Sequence, residues 1–187
     1  MMDNGSGSYR RFREDGDKSG LVEIIRDYKD GLILYLTSIV GNIHTAEDLT
    51  EDTFFLIGSR KPKDKGKGSF KTWLYTIGRN VAIDHLRKHS KHIVVSIDEN
   101  ADLIDDENSV EISYIKKEQE IAVHKAMRKL SADHQQVLWL VYFENMSSKE
   151  AAVVMNKSVH SIESLLSRAR RALKSQLEKE GMIYERL

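Results

Sequence analysis

The sequence predicts an all-α protein made of two small helical domains joined by an acidic linker. Helix breakers are rare, since the only proline is Pro62 and the glycines gather near the N-terminus and around Gly66 and Gly68. Several long segments repeat their apolar residues with the 3.6-residue period of an amphipathic helix. Charge supplies the third observation because it divides the chain into distinct parts.

The net charge of the whole chain is zero, but its parts differ strongly. Residues 18–92 carry a net charge of +4, residues 93–122 carry −7, and residues 123–187 carry +4 again. Two basic lobes therefore flank an acidic connector, and a partner responds to the local field of a lobe rather than to the chain average. We divide the chain into an N-terminal tail (1–17), a first domain (18–91), a linker (92–110) and a second domain (111–187).

Composition also excludes several classes of protein. The chain has no cysteine, so disulfides and thiolate metal sites within it are excluded. The longest apolar stretch, from Gly31 to Gly41, is shorter than the roughly 20 residues that a membrane-spanning helix needs. The N-terminus has no apolar core after its charges and does not resemble a signal peptide, so we expect a cytoplasmic protein.

The first domain is predicted to contain three helices. The first has one broad apolar face and ends at Gly41 as its C-cap. The second begins at Thr45 as its N-cap and runs through AEDLTEDTFFLIGS, and a lysine-rich loop, RKPKDKGKGS, follows. Ser69 caps the third, FKTWLYTIGRNVAIDHLRKHSK. The face of the first helix comprises Leu21, Ile24, Ile25, Tyr28, Leu32, Tyr35, Leu36 and Ile39, and the stripe of the third comprises Phe70, Trp73, Leu74, Ile77 and Val81.

The linker, IVVSIDENADLIDDEN, is acidic and lacks a helical period. Its alternation from Ile93 to Ile97 is compatible with a short strand, although no pairing partner is evident, and a helix resumes near Val110.

The second domain has the anatomy of a helix-turn-helix. Ser131 opens the helix ADHQQVLWLVYFEN, and Ser147 with Glu150 forms a capping box for SKEAAVVM. After the turn MNKS, Ser158 caps the basic helix VHSIESLLSRARRALKSQLEKE. Its apolar side gathers Ile162, Leu165, Leu166, Ala169 and Leu173. The candidate DNA-contacting residues around its other side are His160, Ser161, Glu163, Ser164, Ser167, Arg168 and Arg171.

That outward side suits a major groove because hydroxyls, an imidazole and guanidinium groups can contact base edges and phosphates. An ordinary amphipathic surface helix with a basic exposed face is the competing interpretation.

Two of these segments resemble a known family. LSADHQQVLWLVYFENMSSKEAAVVMNKSVHSIESLLSRARRALK is similar to region 4 of extracytoplasmic-function (ECF) sigma factors, and AEDLTEDTFFLIGS with FKTWLYTIGRNVAIDHLRK is similar to their region 2. The resemblance implies a non-enzymatic alternative sigma factor that directs RNA polymerase to promoters. It implies no cofactor and no small-molecule substrate. The partners it implies are core RNA polymerase (β′ clamp and β flap), promoter DNA and an anti-sigma factor.

The resemblance also implies roles for residues of the first domain. Contact with the β′ clamp coiled coil would be made by Asp48, Glu51, Asp52, Thr53 and Phe54, although an acidic first turn favoured by the helix dipole is an alternative explanation. Engagement of the −10 element would be made by Lys71, Tyr75, Arg79, Asn80, Asp84, Arg87 and Lys88. We expect Trp73 to lie in the core, and the loop lysines 61, 63, 65 and 67 either contact phosphate or are simply solvated.

The second domain departs from the family pattern in ways that leave the promoter sequence open. Glu163 and Leu165 stand where the family often has basic residues. The usual Pro-x-x-x-Arg motif is replaced by the segment from Ala132 to Gln136.

Two other functions remain open on the sequence alone. His85, His89 and His92 share a helical face and could bind a transition metal, although no HExxH motif supports an enzyme. A free-standing helix-turn-helix regulator would explain the second domain but would leave the first without a role.

Overall fold

The computed structural model describes residues 5–64, 68–90 and 118–179, and it confirms the predicted all-α fold. The first domain contains α1 (Gly5–Arg10), which continues into a π-helical turn (Arg11–Asp15), then α2 (Lys18–Val40), α3 (Ile43–Arg60) and α4 (Phe70–Ser90). The second contains α5 (Glu118–Met127), α6 (Ala132–Leu138) with a π-helical turn (Trp139–Phe143), α7 (Ser148–Met155) and α8 (Val159–Lys179). The proposed linker 92–110, its possible strand and the helix start near Val110 lie outside the described residues.

Helix α2 forms the centre of the first domain and packs against α1, α3 and α4. Its predicted apolar face is buried most completely in its second half, where Leu32, Tyr35 and Leu36 have no exposed surface. Gly41 ends the helix as predicted. Its φ of 77° is left-handed, and its N–H donates to the Thr37 carbonyl at 2.8 Å.

Helix α3 begins earlier than the sequence predicted. The N-cap is Asn42, whose side-chain oxygen accepts a hydrogen bond from the Thr45 N–H at 2.8 Å. The added residues include Ile43, whose side chain is completely buried, and this burial favours a helix that starts before Thr45.

The N-terminal segment is a packed part of the first domain, although the sequence indicated no helix there. Tyr9 and Phe12 are buried, and the Tyr9 ring lies 5.6 Å from Phe70 and 4.9 Å from Trp73. The Tyr9 hydroxyl donates to the Pro62 carbonyl at 2.6 Å. This aromatic cluster ties the N-terminus to α4 and places Trp73 against the core, as predicted.

The second domain is assembled around α8. Its predicted apolar stripe is buried, from Ile162 to Leu173, against α5, α6 and α7. The capping box at Ser147 and Glu150 is present as predicted, and the Ser158 hydroxyl caps α8 by accepting from the Ser161 N–H at 3.1 Å.

The two domains are in direct contact. Helix α7 packs against α4, while α6 and the π-helical turn after it pack against α2. A polar cavity of about 320 Å³ lies between the end of α2 and helices α5 and α6, and Trp139 is among the residues that line it. The contact between the domains therefore consists of packed helices in one part and a polar cavity in another. Among the described residues, no helix combines the length and apolarity that crossing a bilayer requires.

Candidate nucleic-acid interface

Helix α8 presents the more open of two candidate DNA-binding surfaces. The turn before it reverses at Asn156, which adopts a left-handed conformation with φ of 51°, and this turn sets α8 across α7. The seven outward residues chosen from the sequence are all exposed: His160, Ser161, Glu163, Ser164, Ser167, Arg168 and Arg171. Because the opposite side is buried, this surface is available to a groove of DNA.

Arg170 differs from its neighbours on α8. Its guanidinium lies 5.5 Å from the centroid of the Tyr142 ring, and its Nε donates to the Tyr142 hydroxyl. Arg170 is thus held by its own domain, whereas Arg171 points outward. The sequence analysis chose Arg171 and not Arg170, and the structure shows the difference in their surroundings.

Helix α4 presents the second surface, but only its C-terminal half is open. Asn80, Asp84, Arg87 and Lys88 are exposed, and the Arg87 guanidinium donates to the Asp84 carboxylate at 2.9 Å. These polar groups lie on a helix end that also carries His89, so the exposed end is predominantly basic.

The N-terminal half of α4 differs from the sequence expectation. Tyr75 has no exposed surface; its ring lies 5.4 Å from that of Tyr35, and burial together with the nearby Glu144 raises its pKa well above the usual value. Lys71 pairs with the Glu144 carboxylate at 3.0 Å, and Arg79 is half-buried beside the Tyr35 hydroxyl. In this conformation Tyr75 cannot stack on a base, so the expectation of an accessible ring is corrected.

Helix α3 carries the proposed polymerase contact. Asp48, Glu51 and Asp52 are exposed, and we call these three residues the acidic face of α3. Thr53 and Phe54 are buried instead, with the Thr53 hydroxyl donating to the Leu49 carbonyl at 2.7 Å. The prediction that Thr53 and Phe54 contact a partner directly is therefore corrected, because both side chains belong to the core of the first domain.

The sequence analysis missed Phe55, whose side chain is 74% exposed. Its spacing from Asp48, Glu51 and Asp52 is seven, four and three residues, so it shares their helical face, and that spacing could have identified it. Phe55 also borders a shallow apolar groove. The groove is lined mainly by Phe12, Leu21, Val22, Ile25, Phe54 and Phe55.

The histidines on α4 have partners of their own. The rings of His85 and His89 are stacked 4.0 Å apart, and His89 Nδ1 lies 3.0 Å from the His85 carbonyl oxygen. His92, the third member of the possible metal site, lies outside the described residues.

Comparison with known families identifies both domains. The sigma-70 region 2 model matches residues 24–92, and the sigma-70 region 4 model matches residues 120–173. Among curated relatives, the ECF RNA polymerase sigma factor SigM of Bacillus subtilis is 32% identical over 154 residues, covering 82% of this chain and 92% of SigM. The ECF sigma factor BldN of Streptomyces coelicolor is 30% identical over 181 residues, covering 88% of this chain and 69% of BldN.

Two solved structures share the fold. The sigma factor RpoE of Bartonella quintana, in complex with the anti-sigma factor NepR, matches with a TM-score of 0.63 at 23% identity, covering 86% of this chain and 96% of RpoE. CnrH, in complex with the cytosolic domain of CnrY, matches with a TM-score of 0.61 at 19% identity, covering 94% of this chain and 95% of CnrH.

The two domains define a promoter-recognition subunit with a region 2 bundle followed by a region 4 helix-turn-helix. The chain belongs to the sigma-70 family of RNA polymerase sigma factors and, within it, to the ECF group. It is an alternative sigma factor that directs promoter-specific transcription, and its partners are core RNA polymerase and promoter DNA.

Proposed function

We propose that α8 reads the −35 element, that α4 engages the −10 element, and that the acidic face of α3 docks on the β′ clamp of core RNA polymerase. The observation that carries this assignment is α8: its apolar stripe is buried while all seven outward residues are exposed. A helix held in this way by a capped helix-turn-helix presents its polar side as a rigid surface for the major groove.

The polymerase contact rests on the chemistry of α3. Three carboxylates and the exposed ring of Phe55 lie on one side of the helix, so they suit a partner surface that is basic with an apolar centre. Phe55 takes the place of the buried Phe54 in this assignment. The β flap contact expected of region 4 stays a prediction.

At the −10 element, the exposed end of α4 offers an amide and cationic groups to the DNA strand. Asn80 can form hydrogen bonds with a base edge, and Arg87 and Lys88 can follow the phosphate backbone. As a recognition subunit, the chain would work in the cytoplasm beside the chromosome and would catalyse no reaction itself.

An anti-sigma factor is a further proposed partner. Its support comes from one fold neighbour, RpoE of Bartonella quintana, whose solved structure is a complex with the anti-sigma factor NepR. Affinity capture of the tagged chain from its own host under non-inducing conditions should recover a stoichiometric inhibitor. Recovery of polymerase alone would contradict this proposal.

The proposed function is tested by run-off transcription with the purified chain, bacterial core RNA polymerase and DNA from upstream of its own gene. Promoter-specific transcript should appear only when chain and core are both present. Asp52→Lys should weaken association with core, while Arg171→Ala should leave association intact and reduce promoter-specific transcript.

Asp15→Lys is the matched control for Asp52→Lys, because it reverses an exposed carboxylate that lies outside the acidic face of α3. A chain that binds duplex DNA tightly by itself and never joins the core would overturn the assignment. The free-standing regulator would then be the better account.

A further inference from the structure

The N-terminal segment, formed by α1 and the π-helical turn after it, touches both ends of the lysine-rich loop between α3 and α4. At the start of this loop, the Tyr9 hydroxyl donates to the Pro62 carbonyl at 2.6 Å. At its end, the Tyr9 ring lies 5.6 Å from the ring of Phe70 and 4.9 Å from that of Trp73, both in the first turn of α4. One buried tyrosine of α1 thus contacts the chain where it enters the loop and where it leaves it.

The Tyr9 hydroxyl remains a hydrogen-bond donor at neutral pH. Burial raises the pKa of Tyr9 to about 12, so the hydroxyl keeps its proton. The charges of Arg13 and Asp64 also act on this hydroxyl; the arginine lowers its pKa and the aspartate raises it. The hydrogen bond to Pro62 is therefore present across the pH range in which the protein works.

A second contact fixes the residue at which the chain leaves α3. Lys61 ends this helix in a left-handed conformation with φ of 45°, which residues other than glycine rarely adopt. Its ammonium lies 4.7 Å from the centroid of the Phe12 ring, within the range of a cation–π interaction. Because Phe12 belongs to the π-helical turn, the N-terminal segment holds the Lys61 side chain as well as the Pro62 backbone.

The residues next to these contacts are mostly basic. Arg60, Lys61 and Lys63 are exposed, and we call these three residues the basic turn. The Phe12 ring orients the Lys61 ammonium without cancelling its charge, because the ring is neutral. The one carboxylate between residues 60 and 64 is Asp64, which is half-buried. The basic turn therefore presents a net positive charge to solvent.

The N-terminal segment lies on the same side of α4 as the exposed polar groups of that helix. Tyr9 packs against Trp73. Asn80 and Arg87 are exposed and follow Trp73 by seven and fourteen residues, spacings that return to the same side of a helix. Lys71, which pairs with a carboxylate of the second domain, lies on the opposite side. DNA that follows Arg87 and Asn80 toward the start of α4 therefore reaches the N-terminal segment and the basic turn.

We propose that Tyr9 and Phe12 are positioning residues for promoter binding, which hold the basic turn where its cations contact the phosphate backbone beside the −10 element. The inference rests on the proposed function, because it extends the DNA surface that α4 offers there. The ligand of the basic turn is the phosphodiester backbone, since lysine ammonium groups respond to charge and phosphate contacts carry no base sequence. Tyr9 and Phe12 act through the turn, because both are buried.

The contribution of the basic turn can be measured from the salt dependence of promoter binding. The protein is the preformed holoenzyme of the full chain with core RNA polymerase, and the probe is a fluorescein-labelled duplex from upstream of the chain's own gene. Affinity is determined at several potassium chloride concentrations. Lys61→Gln combined with Lys63→Gln should weaken binding and reduce the slope of log affinity against log salt by about 1 for each lysine.

Lys125→Gln combined with Lys179→Gln is the matched control for loss of charge. It removes the same two charges from exposed positions on α5 and α8, outside the basic turn. The control holoenzyme should keep a salt slope close to that of the native one.

The positioning role is tested by Tyr9→Phe. This change keeps the ring that packs against Phe70 and Trp73 and removes only the hydroxyl that bonds to Pro62. The variant should bind core polymerase as the native chain does. Its holoenzyme should lose about 3-fold in promoter affinity, which corresponds to the lower end of the range for one lost hydrogen bond.

A double-mutant cycle separates positioning from a general structural role of Tyr9. Added to Lys61→Gln and Lys63→Gln, Tyr9→Phe should cause little further loss of promoter affinity, because the cations that the hydroxyl positions are already absent. Added to the control changes Lys125→Gln and Lys179→Gln, it should cause the full loss.

Phe12→Leu tests the second contact independently. It retains an apolar side chain in the core and removes the ring that orients Lys61. This change should also lower promoter affinity in the native background, and it should have little effect once Lys61 and Lys63 are replaced.

Two results would contradict the inference. One is a salt slope in the Lys61→Gln, Lys63→Gln holoenzyme equal to that of the control; the other is an equal loss from Tyr9→Phe with and without the two lysines. Failure of the proposed function has a different signature. The native chain would then form no holoenzyme that gives promoter-specific transcript, whereas failure of the positioning role leaves native transcription intact.

Discussion

The two helices assigned to DNA, α4 and α8, have the same length of 21 residues but differ in what covers them. The buried side of α8 is covered by helices of its own domain, and its polar side is open. Helix α4 buries Phe70 and Leu74 in its own domain, but Tyr75 lies where α2, α4 and the second domain meet. A helical period therefore predicts exposure only when a helix has no neighbour from another domain.

Truncating a buried side chain of α8 should have the largest effect, measured as a loss of stability. Ile162 has no exposed surface, so Ile162→Ala should lower the free energy of unfolding by about 2–5 kcal/mol, through lost burial and a residual cavity. Urea denaturation followed by far-ultraviolet circular dichroism measures this loss. Val153→Ala, at a position that is 51% exposed on α7, is the matched control and should change stability by less than about 1 kcal/mol.

Equal losses in the free energy of unfolding for these two variants would show that the buried stripe does not hold α8 in place. The contrast between an open α8 and a half-covered α4 would then lose its physical basis.

Acid should destabilise the second domain through His124. Burial, with a smaller contribution from Arg128, lowers the pKa of His124 from 6.5 to about 4. The unfolded chain therefore binds a proton more readily than the folded one. Stability from this group is complete above pH 6.5 and is lost as the pH falls toward 4, by about 2 kcal/mol at pH 5.

Denaturation at pH 7.5 and pH 5 should reveal this loss in the native chain and a smaller one in His124→Gln. His160→Gln replaces an exposed histidine of the same domain and should retain the full acid sensitivity. An identical dependence on pH in all three chains would assign the effect to other groups.

Much of the fold could be predicted because its signals are local. The N-caps at Ser147 and Ser158, the C-cap at Gly41 and the stripe of α8 each depend on residues within a few turns of one another. The N-terminal helix could not be predicted in the same way. Tyr9 and Phe12 form too short a pattern to indicate a helix, and the aromatic partners of Tyr9, Phe70 and Trp73, lie far away in sequence.

In the candidate sites, too, features that depend on local sequence could be predicted, and features that depend on contacts distant in sequence could not. The outward face of α8 follows from its period, whereas the burial of Tyr75 depends on Glu144 and on the space above Gly31, which no local pattern reveals. On α3, the sequence analysis named Phe54 and did not consider Phe55, whereas the structure buries the first ring in the core and exposes the second to solvent.

Promoter recognition should distinguish two adjacent arginines of α8. Arg171→Ala should weaken binding of the holoenzyme to its promoter by about 1–2 kcal/mol, or roughly 10-fold, because of the DNA contact proposed for its exposed guanidinium. Arg170→Ala should have a smaller effect, since Arg170 is held against Tyr142. Gel-shift titration of both holoenzymes at one salt concentration measures the difference, and a larger loss for Arg170→Ala would reverse the assignment.

The smallest effect should be the sharpest test of the difference between α4 and α8, because both helices begin with a serine cap. The Ser69 hydroxyl accepts a hydrogen bond from the Thr72 N–H at 3.2 Å and donates one to the Glu150 carboxylate of the second domain. The Ser158 hydroxyl forms a hydrogen bond with the Ser161 hydroxyl, which belongs to the same domain. Each serine-to-alanine change should cost about 1 kcal/mol as a lost cap. In double-mutant cycles with Glu150→Gln, only Ser69→Ala should show coupling, of about 0.5–1 kcal/mol. Coupling at neither serine would mean that α4 is as independent of the second domain as α8 is of the first, and coupling at both would mean that Glu150→Gln disturbs α7 itself.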